Sequence, residues 1–307
     1  MNDPRPYRDT RDLSAMRNLL VTGRMADNGS YYIHSGDLSL WLYYPSLEGD
    51  CWKHIYLWEH PAHPESILGW ALISPEWVGF DVYVQPELRG SALAMEMYLW
   101  AEQRTLEIAR AKGKKTIYVL WIRHDDQVLH GYFTQQGYRL TRGLVHMSCD
   151  LGGVINASRV DEGFKVRSCK GLNEVSARAK AQYRAFASSA PFERYLERFK
   201  NFMRSPVYDR SHDIVAVHED GPIGAFCIVW IDQVNKVGLF EPVGTHPDFQ
   251  RKGLGRAVML EGLRRLQQGG MKQAIVSTYE DNQAAIRLYE STGFRLVTQL
   301  GTYEKDV

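Results

Sequence analysis

The chain has 307 residues, of which 44% are hydrophobic and 24% are charged, with 37 Lys and Arg against 36 Asp and Glu. This composition is typical of a globular protein, and the length favours about two domains. The near-neutral net charge of +1 argues against general nucleic-acid binding, and no apolar run reaches the roughly 18 residues that a membrane-spanning helix needs.

The four cysteines, Cys51, Cys149, Cys169 and Cys227, lie far apart and form no CxxC pair. The first eight residues are polar and contain no apolar core of a secretory leader. These features predict a reduced cytoplasmic protein with no metal site.

Two segments share a strand, a proline, a turn of small residues and a long helix: residues 80–94 and residues 240–255. A second pair of similar blocks follows, at residues 131–140 and 287–296. The aligned prolines, Pro86 and Pro247, are 161 positions apart, which is too long for a solenoid repeat and indicates a duplicated domain. A turn-rich segment, 151–158, follows a closing strand at 144–149, so we predict domains at residues 1–155 and 156–307.

In the second half, helices alternate with strands, which predicts a mixed α/β fold rather than a helix bundle. Apolar residues at helical spacing predict helix 254–267, and Gly269-Gly270 ends it. The other predicted elements are strands at 164–167, 214–217, 224–230, 236–243, 274–278 and 294–303, and helices at 175–186 and 282–292.

The turn Gln250-Arg251-Lys252-Gly253-Leu254-Gly255 joins a strand to an amphipathic helix. The first backbone N–H groups of a helix have no intrahelical acceptor and carry the positive end of the helix dipole, so they suit a pyrophosphate. Gly253 and Gly255 lack a Cβ, which allows close approach of an anion. A tight turn with no ligand is the alternative, and neither GxGxxG nor a P-loop motif occurs.

Two motifs in this half, in the correct order and spacing, resemble the GNAT superfamily of N-acetyltransferases. The pattern Q/R-x-x-G-x-G/A is met by Gln250, Gly253 and Gly255. The pattern N-x-x-A-x-x-x-Y-x-x-x-G-F is met by Asn282, Ala285, Tyr289, Gly293 and Phe294. The resemblance implies an acyl-CoA donor, acetyl-CoA first, and transfer to an amine.

The resemblance also implies site residues by position. The donor-binding residues it implies are the strand end Val243, Gly244 and Thr245, the loop residues Gln250, Arg251, Lys252, Gly253, Leu254, Gly255 and Arg256, and the helix-opening Asn282. The strand end would pair with pantetheine as an added strand does, and the backbone near Val243 is the candidate oxyanion donor. Asn282 is equally well explained as a helix N-cap.

Tyr289 matches the family's general acid, which protonates the departing thiolate; the alternative is a core tyrosine. Glu241 is the candidate general base, since strand alternation would place Glu241 and Val243 on one face. The alternative for Glu241 is an exposed strand carboxylate. His246 is a further titratable group, which we expect at the surface because it precedes Pro247 in a turn.

The first half resembles the same fold more faintly, with Arg89 at the position of Gln250. Ala92 and Ala94 replace the two glycines, Phe133 replaces the acid tyrosine, and Asp126 replaces Asn282. These departures predict that the first half is not catalytic. Its aromatic-rich stretch, residues 31–58, is predicted to be core or interface, with a substrate-binding wall as the alternative.

We therefore expect an α/β protein of two tandem GNAT-like domains, each a mixed, mostly antiparallel twisted sheet flanked by helices. The tandem layout, with a working second half, is similar to that of the mycothiol synthases. The expected activity is transfer of an acetyl group from acetyl-CoA to a small-molecule amine in a ternary complex, by a cytoplasmic monomer or homodimer without nucleic-acid or membrane partners. The alternatives are a non-catalytic acyl-CoA sensor or scaffold, and transfer to a hydroxyl or aminoacyl group.

Overall fold

The computed structural model describes residues 3–29, 32–43, 51–156, 160, 163–219 and 221–307. By their internal contacts these residues form two compact units. Unit 1 comprises the chain up to Val145 together with Thr298–Val307, and unit 2 comprises His146–Val297. The predicted domain boundary near residue 155 stays a prediction; the contacts place the last strand's second part in unit 1 because residues 300–306 pair along a strand of that unit.

Among its described residues, unit 1 has two α-helices between its first and second strands and two further along the chain. In chain order its elements are β1 (Arg5–Pro6), α1 (Thr10–Ala26), α2 (Ser35–Tyr43), β2 (Ile55–His60), β3 (His63–Ser74), β4 (Gly79–Val84), α3 (Ala92–Ala111), β5 (Thr116–Arg123), α4 (Gln127–Gln135) and the first part of β6 (Arg139–Asp150). Strands β1 to β4 pair antiparallel, and β4 pairs parallel to β5.

The aromatic-rich stretch of unit 1 lies largely in its core, as predicted. Tyr32 is 8% exposed and stacks on Tyr83, with ring centroids 5.0 Å apart. Trp58 is 5% exposed and meets the Trp100 ring edge to face. Within this stretch, Tyr31, Tyr44 and the side chain of Trp52 lie outside the described residues.

A buried carboxyl, Asp81, makes the stability of unit 1 depend on pH. Asp81 is 1% exposed and accepts a hydrogen bond from the Tyr32 hydroxyl. Burial raises the pKa of Asp81 to about 7, against the opposing effect of that hydrogen bond. Between about pH 4 and 7 the folded chain therefore holds a proton that the unfolded chain has lost, so stability falls as the pH rises through this window.

We predict that the wild-type chain is less stable at pH 8 than at pH 5, because ionisation of Asp81 lowers the free energy of unfolding by about 3 kcal/mol between these two pH values. Asp81→Asn removes this contribution to the dependence of stability on pH. Asp37 keeps its own contribution, because burial raises its pKa to about 7 as well. Urea unfolding at pH 5 and pH 8 measures the change in the free energy of unfolding. An equal change in the wild type and in Asp81→Asn would contradict this role of Asp81.

Unit 2 carries the strands and helices predicted from the second half. Its elements are the end of β6, then β7 (Phe164–Ser168), α5 (Val175–Ala185), α6 (Phe192–Arg204), β8 (Asp213–His218), β9 (Ile223–Asp232), β10 (Val237–Thr245), α7 (Leu254–Gln268), β11 (Gln273–Tyr279), α8 (Gln283–Ser291) and the start of β12 (Arg295–Asp306). The sheet order is β6-β11-β10-β9-β8-β7. In this sheet β10 pairs parallel to β11, and β9 pairs antiparallel to β10 and to β8, as does β8 to β7.

Helix α7 packs on one face of the unit 2 sheet, where small residues on the strands make room for it. A Cβ on Gly238 of β10 would lie 2.4 Å from Leu266 of α7, and one on Gly262 of α7 would lie 2.5 Å from the Phe240 ring. This close approach holds the second half of α7 against the first half of β10. Among the described residues, no helix combines the length and the apolar character required to cross a bilayer.

Candidate functional site

The loop before α7 presents the free amides of the helix to open space. Gly253 directly precedes the helix with φ 72°, in the left-handed region, and no side chain caps the helix there. A Cβ at Gly253 would meet no atom within 4 Å. The space beside Gly253, at the start of α7, is therefore clear of other atoms, which is what an anion cradle requires.

The second glycine of the motif has a different role. A Cβ at Gly255 would lie 2.8 Å from the Thr245 hydroxyl oxygen and 3.3 Å from Leu288 Cδ2. Gly255 thus lets the helix start pack against the end of β10 and against α8. The expected close approach of an anion applies to Gly253, whereas the absence of a side chain at Gly255 serves packing.

We predict that Gly255→Ala changes the free energy of unfolding by less than about 1 kcal/mol, because the Thr245 hydroxyl can rotate away and alanine favours the helix. Gly255→Val should cost about 1–3 kcal/mol, since its two methyl groups overpack the same space. Urea denaturation of both variants checks this; equal costs would show that the contact with Thr245 does not limit the position.

The polar and basic side chains of this loop are exposed, namely those of Gln250, Arg251, Lys252 and Arg256. The Lys252 ammonium lies 5.9 Å from the ring centroids of both Phe164 and Phe249, and Arg256 Nε donates to the Ser291 carbonyl at 3.4 Å. Leu254 is 1% exposed, so its side chain belongs to the core and only its backbone N–H can face an anion.

A gap opens between the two parallel strands next to this loop. Within the described residues, β10 pairs with β11 only from Val237 to Leu239. On its other edge β10 stays paired with β9 as far as Thr245. Strand β9 therefore pairs with one edge of the segment Val243, Gly244 and Thr245. The backbone on the other edge is available to an extended ligand.

A β-bulge in β10 lies at the mouth of this gap. Phe240 pairs opposite Val229, but the next pair joins Val243 to Cys227, so β10 contains one extra residue between them. Because Val229 and Cys227 lie on one face of β9, Phe240 and Val243 share a face as well. The alternation that was expected to put Glu241 and Val243 on one face is therefore wrong.

Trp230 fixes the bulge from the neighbouring strand. Its indole Nε1 donates to the Glu241 carbonyl at 2.6 Å. The sequence offered a signal for the bulge in Pro242, because a proline within an inner strand is confined to such irregularities. Neither sequence motif indicates this role of Trp230, because its hydrogen-bond partner is a backbone atom on another strand.

Tyr289 is a buried tyrosine on which the charge of Glu241 acts. Tyr289 is 5% exposed, and its ring centroid lies 6.2 Å from that of Phe294. Burial raises the pKa of Tyr289 above its usual value near 10, and the negative charge of Glu241 raises it further. The phenol is therefore protonated at neutral pH and can donate a proton to a base that forms beside it.

Asn282 is the N-cap of α8. Its Oδ1 accepts from the Ala285 N–H at 3.2 Å, and its Nδ2 donates to the Thr278 hydroxyl at 3.2 Å. The capping interpretation is confirmed, and a contact of the exposed Asn282 with a donor molecule stays a prediction.

His246 is buried, contrary to the expectation that it lies at the surface. It is 9% exposed. Its backbone N–H donates to the Gly224 carbonyl at 2.8 Å, and its ring Nδ1 accepts from the backbone N–H of Asp248 at 3.3 Å. Burial lowers the pKa of His246. The pairing of its backbone with the strand explains the burial, which the turn sequence alone does not indicate.

The corresponding region of unit 1 is altered at each predicted position. Arg89 is bound by both carboxylate oxygens of Asp27. The Ser91 hydroxyl accepts the Ala94 N–H at 3.2 Å, so a side chain already uses one of the free amides of α3. Asp126 caps α4 as Asn282 caps α8, and it lines a cavity of about 170 Å³ beside the end of β4.

Comparison with known proteins agrees with this geometry. Residues 175–294 match the acetyltransferase (GNAT) family. Among curated proteins, the mycothiol acetyltransferase of Thermobispora bispora is 27% identical over 250 residues, which is 75% of this chain and 77% of that protein. The mycothiol acetyltransferase of Geodermatophilus obscurus is 31% identical over 170 residues, 52% of this chain and about half, 54%, of that protein's length.

Several solved structures cover nearly the whole chain, and two of them have the following similarity. A GCN5-related N-acetyltransferase from Sphaerobacter thermophilus has a TM-score of 0.66 and 22% identity, covering 99% of this chain and 95% of its own. A tandem GNAT protein from the clavulanic acid biosynthesis pathway has a TM-score of 0.68 and 14% identity, covering 99% and 97%. This likeness confirms the predicted fold class: tandem α/β domains, each with a mixed, mostly antiparallel sheet flanked by helices.

Proposed function

The chain carries an acetyltransferase domain of the GNAT family over residues 175–294, and on that premise we propose that it transfers an acetyl group from acetyl-CoA to a primary amine of a small molecule. The observation that carries the proposal is the gap between β10 and β11, which leads to the open amides at Gly253. An extended arm with a diphosphate at one end and a thioester at the other has the chemistry that fits both features.

In this proposal, the diphosphate binds the amides that follow Lys252, with the exposed cations of the loop around it. The pantetheine arm binds along Val243, Gly244 and Thr245, whose outer backbone edge is not paired with β11 among the described residues. Asn282 contacts the donor from the start of α8. These contacts hold the thioester near the bulge, where Glu241 and Tyr289 lie.

The transfer is a direct attack in a ternary complex. The amine nitrogen forms a bond with the thioester carbonyl carbon, and the carbon–sulfur bond breaks as the intermediate collapses. Glu241 takes the proton that the nitrogen loses, and Tyr289 gives a proton to the departing sulfur. The backbone N–H near Val243 stabilises the negative charge on the carbonyl oxygen, and alignment of the two substrates supplies much of the acceleration.

Unit 1 has a structural role in this account. Phe133 has no hydroxyl to give to a thiolate, and its ring is 1% exposed in the core. Arg89 is engaged by Asp27, and Ser91 blocks an amide of α3. The cytoplasmic location and the absence of nucleic-acid and membrane partners remain predictions.

The experiment that tests the function is a release assay for free CoA thiol across a panel of small primary amines, with calorimetric titration of acetyl-CoA beside it. We expect binding of one acetyl-CoA per chain and amine-dependent thiol release. Binding without release on any amine of the panel would favour the acyl-CoA sensor, and absence of binding would contradict the proposal as a whole.

A further inference from the structure

A charged side chain lies fully buried behind the donor-binding strand end. Arg178 of α5 is 0% exposed, and its Nε donates to both Asp213 carboxylate oxygens, at 2.9 and 3.2 Å. Its Nη1 donates to Gln182 at 3.1 Å. The Tyr208 hydroxyl donates to the same Asp213 at 3.0 Å, so the ion pair has a fixed geometry.

The flat face of this guanidinium lies on an aromatic ring. The Arg178 Cζ is 4.0 Å from the centroid of Phe226 on β9, which is a close cation–π contact. Among the described residues, Arg178 Nη2 has no hydrogen-bond acceptor. The contact with the ring therefore helps to hold the guanidinium in place.

The Phe226 ring also covers Gly244, the middle residue of the donor-binding strand end. Gly244 pairs with Phe226 across β9 and β10, and a Cβ on Gly244 would lie 2.4 Å from the ring and 3.1 Å from Ala185 Cβ of α5. The next residue, Thr245, is the one that contacts the start of α7 at Gly255. The ring therefore lies where it can restrict movement of the backbone between Val243 and Thr245.

We propose that Arg178 is a positioning residue for the donor: through Phe226 it clamps the Gly244 backbone in the place where the pantetheine arm of acetyl-CoA pairs. This inference rests on the proposed function, since it assigns a role within the same site. Arg178 acts through Phe226 and touches neither substrate.

A purely structural role is a poorer explanation of the buried pair. Removing two charges from water costs about as much as their attraction returns, so a buried ion pair is weak evidence for stability. A guanidinium differs from other cations by its flat, rigid face, which matches an aromatic ring. The arrangement is therefore better suited to fixing one geometry of the ring than to stabilising the fold.

Two variants test the inference in the full-length chain. Arg178→Lys keeps a positive charge for Asp213 but has no flat face, and Phe226→Leu removes the ring while nearly conserving apolar volume. For both we expect the Kd of acetyl-CoA to rise about tenfold, since preorganisation of the strand end is lost. At saturating acetyl-CoA, kcat should stay within about twofold of the wild type, and the acceptor KM should not change.

The matched control is Phe133→Leu, the same substitution at a buried ring of unit 1, outside the unit that holds the donor site. It should lower the melting temperature and leave the acetyl-CoA Kd unchanged. The inference is overturned if the two test variants bind acetyl-CoA as the wild type does, whether or not their melting temperatures fall as that of the control does. A wild-type chain that fails to bind acetyl-CoA would instead refute the proposed function, and the inference with it.

Discussion

Gly253→Glu is expected to weaken acetyl-CoA binding at least about 100-fold, which corresponds to about 2.7 kcal/mol. The new carboxylate would enter the space that is free of other atoms within 4 Å and would repel the diphosphate at short range. The glutamate must also keep the left-handed backbone conformation of Gly253, which costs a residue with a Cβ about 1–2 kcal/mol of stability. Calorimetric titration of acetyl-CoA measures the effect on affinity.

Gly270 provides a matched control for this variant at the other end of α7. Its φ is 80°, and a Cβ there would likewise meet no atom within 4 Å. Gly270→Glu therefore imposes the same backbone strain and adds the same charge away from the helix N-terminus. We expect normal acetyl-CoA affinity for Gly270→Glu. Unchanged affinity in Gly253→Glu as well would show that the diphosphate binds elsewhere.

Tyr289→Phe is expected to lower kcat about 100-fold while the Kd of acetyl-CoA stays within about twofold, because the phenol acts only on the departing sulfur. The ring packing against Phe294 is kept in the variant. Single-turnover release of CoA thiol measures the chemical step.

The control for Tyr289→Phe is Tyr98→Phe in unit 1, another buried tyrosine, whose hydroxyl donates to the Val82 carbonyl at 3.3 Å. This variant should turn over as the wild type does. Wild-type turnover by Tyr289→Phe would remove the phenol from the mechanism, and a loss in both variants would point to a general effect of removing buried hydroxyl groups.

The pH profile of turnover follows from the direction of the Tyr289 pKa. Burial and the charge of Glu241 keep the phenol protonated beyond its usual range. Loss of the Tyr289 proton therefore does not limit the rate between pH 7 and 9, and any fall of the rate at lower pH arises from protonation of the base or of the amine.

The local elements of unit 2 were predictable because periodicity and turn residues specify them. Helix α7 begins at Leu254 and ends before Gly269, where the apolar spacing and the glycine pair place its limits. The same holds for the cap at Asn282. These features depend on contacts between residues a few positions apart, so the sequence states them directly.

The details that shape the site were harder to predict because they depend on pairing between strands. The bulge after Phe240 changes which side chains share a face, and only its partner β9 reveals the extra residue. The burial of His246 follows from its backbone bond to Gly224. Pro242 was the one readable signal of an irregular strand.

The contacts between distant residues could not be read from motifs at all. Arg178, Phe226 and Gly244 come from two strands and a helix, and each is ordinary in its own segment. Gly255 illustrates the same limit within a motif, since the glycine matches the family pattern but its close neighbours are Thr245 and Leu288. The motif identifies the position, and the packing explains it.

A crystal structure of the chain with acetyl-CoA would show where the donor binds. We expect the diphosphate on the backbone amides at the start of α7, beside Gly253, and the pantetheine arm along Val243 to Thr245 in the gap between β10 and β11. A diphosphate bound away from this helix start, or a side chain occupying the space beside Gly253, would contradict this expectation.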